Sequence, residues 1–394
     1  MSIATKSAGQ YLHGANDLRL ETRDLSTLGD DEVQVAIRST TLCGSDLHYY
    51  SHYRNGDILV RQPLALGHES AGEITAVGSR VASISPDLHV GDKVAVECGV
   101  ACGNCDFCKS QRYNICPNLR FRSSGSKFPH YQGTLQERIN HPAKWVHKLP
   151  DELDYEAGAL LEPLAVAAHA VGRAEQVALP SVKKTALIFG AGAVGLLVSV
   201  AAQAAGYENI VIADIDEGRL KFATDYGFAS VKVAVKPRRG ATIEEKLEIA
   251  KDTAAQIASS RWPDGTPVGK PSVTFECTGA ESCVQASIYA TISGGSVVLI
   301  GLGVPNHVLP ISEATPREIT LIPSWRYANV YPRAIEIAAA SVTGSPLGGI
   351  KLPDIRKLVT HRHTGLDSVE EAFKMAGKTS DANGALVVKT IINF

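Results

Sequence analysis

Long apolar runs are missing from this sequence. None approaches the roughly 18 consecutive residues that a bilayer-spanning helix requires, so a membrane protein is not expected. The first residues, MSIATKSAGQYLHGANDLRL, lack the apolar core of a secretory signal, and the last, KTIINF, match no retention or lipidation signal. A cytoplasmic protein is the expectation. Charge of one sign is also lacking. The formal net charge is -2, which leaves no global electrostatic reason to expect a nucleic acid or an anionic membrane as partner. No repeat of solenoid period and no low-complexity tract is present.

What is present suits a globular protein of two domains. The chain has 394 residues, 44% hydrophobic and 20% charged, with 35 glycines. Its eight cysteines are unevenly placed: Cys98, Cys102, Cys105, Cys108 and Cys116 crowd together, whereas Cys43, Cys277 and Cys283 stand apart. In a large chain without secretory features such crowding points to metal rather than disulfides.

The first part reads as short strands broken by Gly and Pro, such as Glu32–Ile37, Gly72–Gly78 and Asp92–Val96. From about Ala157 the pattern changes. A helix is expected through Ala165–Val171, and then strand-like runs at Thr185–Phe189, Ile210–Asp214, Val273–Glu276 and Val297–Ile300 alternate with helical stretches such as Val194–Ala205 and Arg219–Tyr226. Strand–helix alternation implies βαβ units and a parallel sheet. The segment Arg261–Gly269 is turn-rich and reads as a surface excursion. The fold class is α/β, with a doubly wound parallel sheet and a β-rich second domain.

Gly190-Ala191-Gly192-Ala193-Val194-Gly195 lies between an expected strand and an expected helix, the context a dinucleotide-binding loop requires. Gly190 permits the turn, Gly192 lets the backbone approach a pyrophosphate, and Gly195 lets helix and strand pack closely. The helix N-terminus then meets the phosphates. Asp214 closes the second strand and can accept from both ribose hydroxyls, which favours NAD over NADP. Arg219 either reaches the adenosine or is a solvated helix residue. The competing reading is a glycine turn in a plain α/β domain with a surface aspartate.

Cys102-x2-Cys105-x2-Cys108-x7-Cys116 supplies four thiolates in one short lobe, the donor set of a closed structural zinc site. Cys98 falls outside that spacing and reads as a spare buried thiol. A second set is scattered: Cys43 in Cys43-Gly44-Ser45-Asp46, His68-Glu69 after Gly67, and Glu162 in Leu161-Glu162-Pro163-Leu164. Alone these are modest signals. Their framing, Gly67-His68-Glu69-x2-Gly72-x5-Gly78-x2-Val81, resembles the signature of zinc-containing alcohol dehydrogenases among the medium-chain dehydrogenases.

Nearly the whole chain shares that resemblance, and within the family it looks most like the polyol dehydrogenases that act on sorbitol, xylitol or L-arabinitol. The closer match is carried by Cys43–Tyr49, Arg112-Tyr113-Asn114, Leu161–Leu164, Asp214–Leu220, Glu276–Gly279, Arg326-Tyr327 and Asn329. The resemblance implies a GroES-like catalytic domain over 1–166 with a zinc lobe at 98–116. A Rossmann NAD-binding domain over 167–322 and a return to the catalytic domain over 323–394 complete it, with the active site in the cleft between. It implies two zinc ions per chain and oxidation of a secondary hydroxyl with hydride transfer to NAD. Cys43 and His68 match the ligands of a catalytic zinc, Glu69 an acidic ligand or near ligand, Glu162 either a group that holds the metal's water or an exchangeable ligand, and Ser45 a proton relay. His48 extends that relay or faces the coenzyme ribose. Tyr49, Phe121, Arg326 and Tyr327 match positions lining the polyol pocket, and Val194, Thr278 and Gly301 join the cofactor-binding residues. A homo-oligomer is implied, a tetramer in polyol relatives, with a strand near Val297–Gly301 continuing a sheet across an interface.

Two features depart from the family pattern. Ser123–Gly133 replaces a shorter, proline-containing loop over the pocket, and Ile58 stands near a position where relatives carry a larger residue. Both leave the preferred substrate open. Another secondary alcohol such as L-threonine is one alternative, and a catalytically silent protein that binds zinc and NAD is another.

Overall fold

The computed structural model describes residues 3–394, so the first two residues of the N-terminal stretch lie outside it. The chain divides into two compact units. One comprises Met1–Glu162, Ala334–Ala339 and Arg356–Phe394, and the other Pro163–Arg333 and Ala340–Ile355. The stretch 323–333 and Ala340–Ile355 thus pack with the second unit.

The first unit is built on a seven-stranded, mostly antiparallel sheet. Its central strand, Glu32–Thr41, is flanked by Glu69–Val77 on one side and by Lys389–Asn393 on the other. Arg138–Pro142 pairs with the first part of the central strand, and Lys93–Val96, Val146–Lys148 and Val359–Thr364 complete the sheet. The strand expected at Gly72–Gly78 begins three residues earlier, at Glu69. That extension matters because it places the Glu69 carboxylate on the sheet, opposite Thr41. Alternating apolar residues such as Val33, Val35 and Ile37 are fully buried and supply the core. A hairpin of Lys6–Gly14 and Asp17–Asp24 lies beside this sheet and was not evident from the sequence.

The second unit holds a six-stranded parallel sheet. Numbered by their own succession, its strands lie in the order 3-2-1-4-5-6: Val231–Ala234, Asn209–Asp214, Thr185–Phe189, Val273–Glu276, Ser296–Leu299 and Thr320–Pro323. This is the doubly wound order, and near-continuous apolar runs such as Ala186-Leu187-Ile188-Phe189 fit strands covered on both faces. The helix Ile243–Ser259 was not expected. It starts at Thr242 and Glu245, which cap each other's backbone, and it buries Ala250, Ala254 and Ile257.

One expectation is corrected. The strand Ser296–Leu299 is paired on both sides, with Val273–Glu276 and with Thr320–Pro323, so the stretch Val297–Gly301 has no free edge to extend a sheet. The two edges belong to Thr320–Pro323 and Val231–Ala234. No helix among the described residues is long and apolar enough to cross a membrane.

Candidate active site and metal centres

Cys43 ends the turn after the central strand and precedes the helix Gly44–His52. His68 immediately precedes the strand that starts at Glu69. The fold therefore sets a helix start against a strand start. The Cys43 sulfur, a His68 ring nitrogen and a Glu69 oxygen all lie within 4.8 Å of one another. His68 and Glu69 are buried and Cys43 is half-buried.

Supporting groups fix how each donor points. His68 Nδ1 lies 3.2 Å from Asp46 Oδ1, which orients the ring and leaves Nε2 for a metal. Asp46 is fully buried and accepts from Ser123 Oγ at 2.6 Å, Gly67 N at 3.2 Å and Cys43 N at 3.2 Å. Burial alone would raise the Asp46 pKa. The His68 ring and the bonds from Ser123 and Gly67 outweigh it and hold the group below the ordinary carboxylate value. Glu69 Oε2 meets Lys389 Nζ at 2.5 Å and also accepts from the Thr41 hydroxyl, so its other oxygen is left for a metal. Lys389 Nζ donates to Leu42 O at 3.0 Å as well. Burial disfavours its charge, but Glu69 and Cys43 keep its pKa above the usual lysine value.

The site suits a cation. Burial disfavours a charged His68, yet Asp46 and Cys43 raise its pKa well above the usual imidazole value. The negative charges of Asp46 and Cys43 beside His68 would favour a cation at this position. One sulfur, one imidazole and one carboxylate make a three-ligand set with a fourth position open, as catalytic zinc requires.

Glu162 is buried at the start of the helix Leu161–Glu175. Among the described residues it is outside the set of three, though its charge reaches Lys389 and Cys98. Ser45 is half-buried and His48 exposed on the helix Gly44–His52. Phe121 sits edge-on to His68 with ring centroids 5.4 Å apart. Tyr49 is buried, and its hydroxyl accepts from Gly125 N at 3.2 Å and lies 3.5 Å from Ser124 Oγ. Arg326 and Tyr327 belong to the second unit. The Arg326 guanidinium stands 4.9 Å over the Trp325 ring, and the Tyr327 ring is 5.5 Å from Tyr331.

Cys98 is buried and outside both donor sets, as its spacing suggested, and it has a local contact. Its Sγ donates to His68 O at 2.9 Å, and it thereby pins the backbone that carries the imidazole. Burial pushes its pKa up to about 12, so it stays protonated and able to donate.

Cys102, Cys105, Cys108 and Cys116 converge within 4.8 Å. The Sγ–Sγ distances are 3.5 Å for Cys105–Cys108, 3.5 Å for Cys116–Cys102 and 4.0 Å for Cys102–Cys108. Zinc–sulfur bonds of about 2.3 Å at tetrahedral angles put sulfurs roughly 3.8 Å apart, so the quartet fits one zinc ion with no open position. Backbone amides of Asn104 and Cys105 bring the Cys102 thiol down to about 6, while burial and the Cys105 sulfur push Cys108 up to about 12. Four thiolates at this spacing need a cation between them.

In the second unit the residues expected to hold a cofactor gather at the C-terminal ends of the parallel strands, where such sheets bind ligands. Gly195 has no room for a side chain, because a Cβ there would stand 1.9 Å from Gly190 O. Gly301 packs as closely, 2.1 Å from Gly279 N by the same measure, and so meets Thr278 in the next loop. Val194 lies on the first turn of the helix Ala193–Ala204. Asp214 ends its strand and accepts from Ala191 N at 2.6 Å and Asp216 N at 2.9 Å. Arg219 Nη1 is 4.0 Å from where a side chain on Gly192 would begin, so Arg219 overlies the glycine loop.

Four contributors had no assigned role in the sequence reading: Asp46, Ser123, Thr41 and Lys389. Asp46 lies in the Cys43 motif and could have been suspected there. Lys389 had a different signal, a single cation within Leu386-Val387-Val388-Lys389-Thr390-Ile391-Ile392.

Comparison with known proteins gives the family. Residues 29–151 match the family model of the alcohol dehydrogenase GroES-like domain and residues 193–340 that of the zinc-binding dehydrogenase. The chain is 36% identical over 380 residues to sorbitol dehydrogenase of Mus musculus, covering 95% of each chain. It is 37% identical over 363 residues to sorbitol dehydrogenase of Homo sapiens, covering 92% of this chain and 90% of the other. Among solved structures, L-idonate 5-dehydrogenase of Escherichia coli superposes with a TM-score of 0.79 at 26% identity, covering 99% of this chain and 98% of that one.

Proposed function

The chain belongs to the zinc-binding dehydrogenase family, and from that premise we propose that it oxidises a secondary hydroxyl of a sugar alcohol to the ketose, passing the hydride to NAD. The observation that carries the reading is the convergence of Cys43, His68 and Glu69 within 4.8 Å, in a chain whose relatives include sorbitol dehydrogenases.

Bound at the three-donor site, zinc supplies the Lewis acidity that makes a substrate hydroxyl acidic near neutral pH, and NAD supplies the hydride acceptor. The protein's own groups do the rest. Cys43, His68 and Glu69 hold the metal, with Asp46 orienting His68 and with Thr41 and Lys389 restraining one oxygen of Glu69. Glu162 would hold a water of the metal by a hydrogen bond. Ser45 takes the substrate proton, and His48, exposed on the same helix, passes it to solvent. Tyr49 and Phe121 line the substrate site, and Arg326 and Tyr327 offer the polar contacts a polyol needs. Gly190, Gly192, Val194, Gly195, Asp214, Arg219, Thr278 and Gly301 hold the coenzyme. Asp214 selects NAD because its carboxylate repels a 2′-phosphate.

The division into a catalytic domain, a coenzyme domain and a C-terminal return to the catalytic domain is part of this reading, with the expected bounds 1–166, 167–322 and 323–394 shifted because Pro163–Arg333 and Ala340–Ile355 pack as one unit. A cytoplasmic location is part of it too. So is a homotetramer. The Thr320–Pro323 edge and the exposed Leu302, Val304, Ile311 and Trp325 favour association through the coenzyme unit. Light scattering that found a monomer would reject that part alone.

An NAD-linked rate panel over sorbitol, xylitol, L-arabinitol, galactitol and L-threonine tests the substrate class. Higher kcat/KM for one or more polyols than for L-threonine is expected. Turnover of L-threonine alone would overturn it.

A further inference from the structure

We infer that Ser123 is a positioning residue for the catalytic metal, acting through Asp46 on His68 and tying the loop 123–133 to the metal's coordination. This rests on the assignment of Cys43, His68 and Glu69 as the metal's ligands.

The Ser123 hydroxyl makes the shortest of the contacts to Asp46, 2.6 Å from Oδ1, the same oxygen that lies 3.2 Å from His68 Nδ1. Both residues are buried. Ser123 has φ 65, in the left-handed region where glycine or asparagine is the easier residue. A serine held there is over-determined by its surroundings, and these are visible. Ser123 N donates to Tyr131 O at 3.0 Å, while Arg122 N donates to Cys98 O at 3.1 Å. The buried Arg122 guanidinium donates to His141 Nδ1 at 3.0 Å, Gln132 O at 2.8 Å and Asn140 O at 2.5 Å. The root of the loop is thus fixed on the protein interior. Its next residues reach the substrate-lining Tyr49 through Gly125 N. One hydroxyl therefore joins two functions. It completes the donors that hold Asp46 against the histidine, and it ties to that carboxylate the loop whose Gly125 amide meets Tyr49.

An oriented imidazole binds metal more tightly than a free one. Loss of such a support costs roughly 10–100-fold in metal affinity or activity. The backbone makes the test clean: Ser123→Gly deletes the hydroxyl at a φ that glycine adopts freely, so the loop is not strained by the substitution.

The experiment follows zinc release to a chromogenic chelator from the purified, zinc-loaded enzyme and from Ser123→Gly, Asp46→Ala, the double variant and His68→Ala. Ser123→Gly is expected to release one zinc about 10-fold faster, with the second zinc unchanged. Asp46→Ala, which removes the acceptor of the Ser123 hydroxyl, should release it faster still, and Ser123→Gly should add nothing in the Asp46→Ala background, since groups acting through one another are non-additive. A release rate unchanged in Ser123→Gly, or an equal effect with and without the Asp46 carboxylate, overturns the inference. His68→Ala is the separate control. If it retains both zinc ions, the ligand assignment itself has failed.

Discussion

Lys389 and Glu69, from opposite ends of the chain, meet at 2.5 Å across the central strand, with the Thr41 hydroxyl on the same carboxylate oxygen. Breaking a buried pair by removing one partner costs about 3–5 kcal/mol, because the other charge is left uncompensated. A metal ion on the opposite oxygen of Glu69 would supply part of that compensation. Lys389→Met is therefore expected to destabilise the zinc-free protein by about 3–5 kcal/mol and the zinc-loaded protein by less. Urea unfolding with and without zinc measures both. Equal losses in the two states would mean that Lys389 supports the fold and not the site.

The cysteine lobe makes its own prediction. Cys108→Ser removes one of four sulfurs whose spacing fits a tetrahedral ion. Metal content should fall from two zinc ions per chain to one, with stability lost before catalysis. A single zinc in the carefully purified, unmodified protein would show that the quartet does not hold the ion.

Cofactor preference turns on Asp214. Its carboxylate accepts from Ala191 N and Asp216 N, so it is fixed at the strand end where the ribose belongs. Facing a 2′-phosphate costs several kcal/mol, and each 1.4 kcal/mol is about tenfold. Asp214→Ser combined with Ile215→Arg should reduce the NAD over NADP ratio of kcat/KM by roughly 10–100-fold. Comparable kcat/KM for both cofactors in the unmodified enzyme would contradict the assignment.

How far the sequence could be read depended on how local each signal was. The glycine loop at 190–195 and the cysteine quartet are confined to short segments, and their geometry follows from spacing alone. Strands such as Thr185–Phe189 and Val273–Glu276 were legible because parallel strands covered on both faces are nearly continuous apolar runs. The hairpin at residues 6–24 was harder, since its second strand is largely exposed and carries Arg19, Glu21 and Arg23. The supports of the metal site were hardest. Lys389, Thr41 and Glu69 come together through sheet register, and register is set by pairing that no short window of sequence contains.

Glu156 offers a test by pH. It accepts from Arg362 and from Asn393, which lie in the last two strands of the chain, and so ties the C-terminal segment to the helix Tyr155–Ala159. Burial raises its pKa, but the bonds from Arg362 and Asn393 and the charge of Arg362 outweigh this and hold it below the ordinary glutamate value. A carboxylate depressed in the folded state adds stability above its unfolded pKa and loses it as pH falls through the folded value. Because Arg362 is half-exposed, the contribution is about 1 kcal/mol at most. Glu156→Gln should unfold at lower urea near pH 7, and the gap from the unmodified protein should close in acid. A gap that persisted well below pH 4 would show that the ionised form is not what stabilises.

The last prediction separates the metal's ligands from the group beside it. Glu162 is buried near the site and its charge reaches Lys389, yet it lies outside the three donors that converge within 4.8 Å. A carboxylate so placed can hold a metal's water by a hydrogen bond without closing the position that substrate must enter. His68→Ala should therefore lose both the zinc and the activity. Glu162→Gln keeps an acceptor and a similar shape but removes the charge, so it should retain zinc while turnover falls by roughly 10–100-fold. Metal analysis beside steady-state rates distinguishes the cases. If Glu162→Gln empties the site as completely as His68→Ala, Glu162 is itself a ligand. If Glu69→Gln keeps full zinc and full activity, Glu69 is not one, and the third donor must be Glu162.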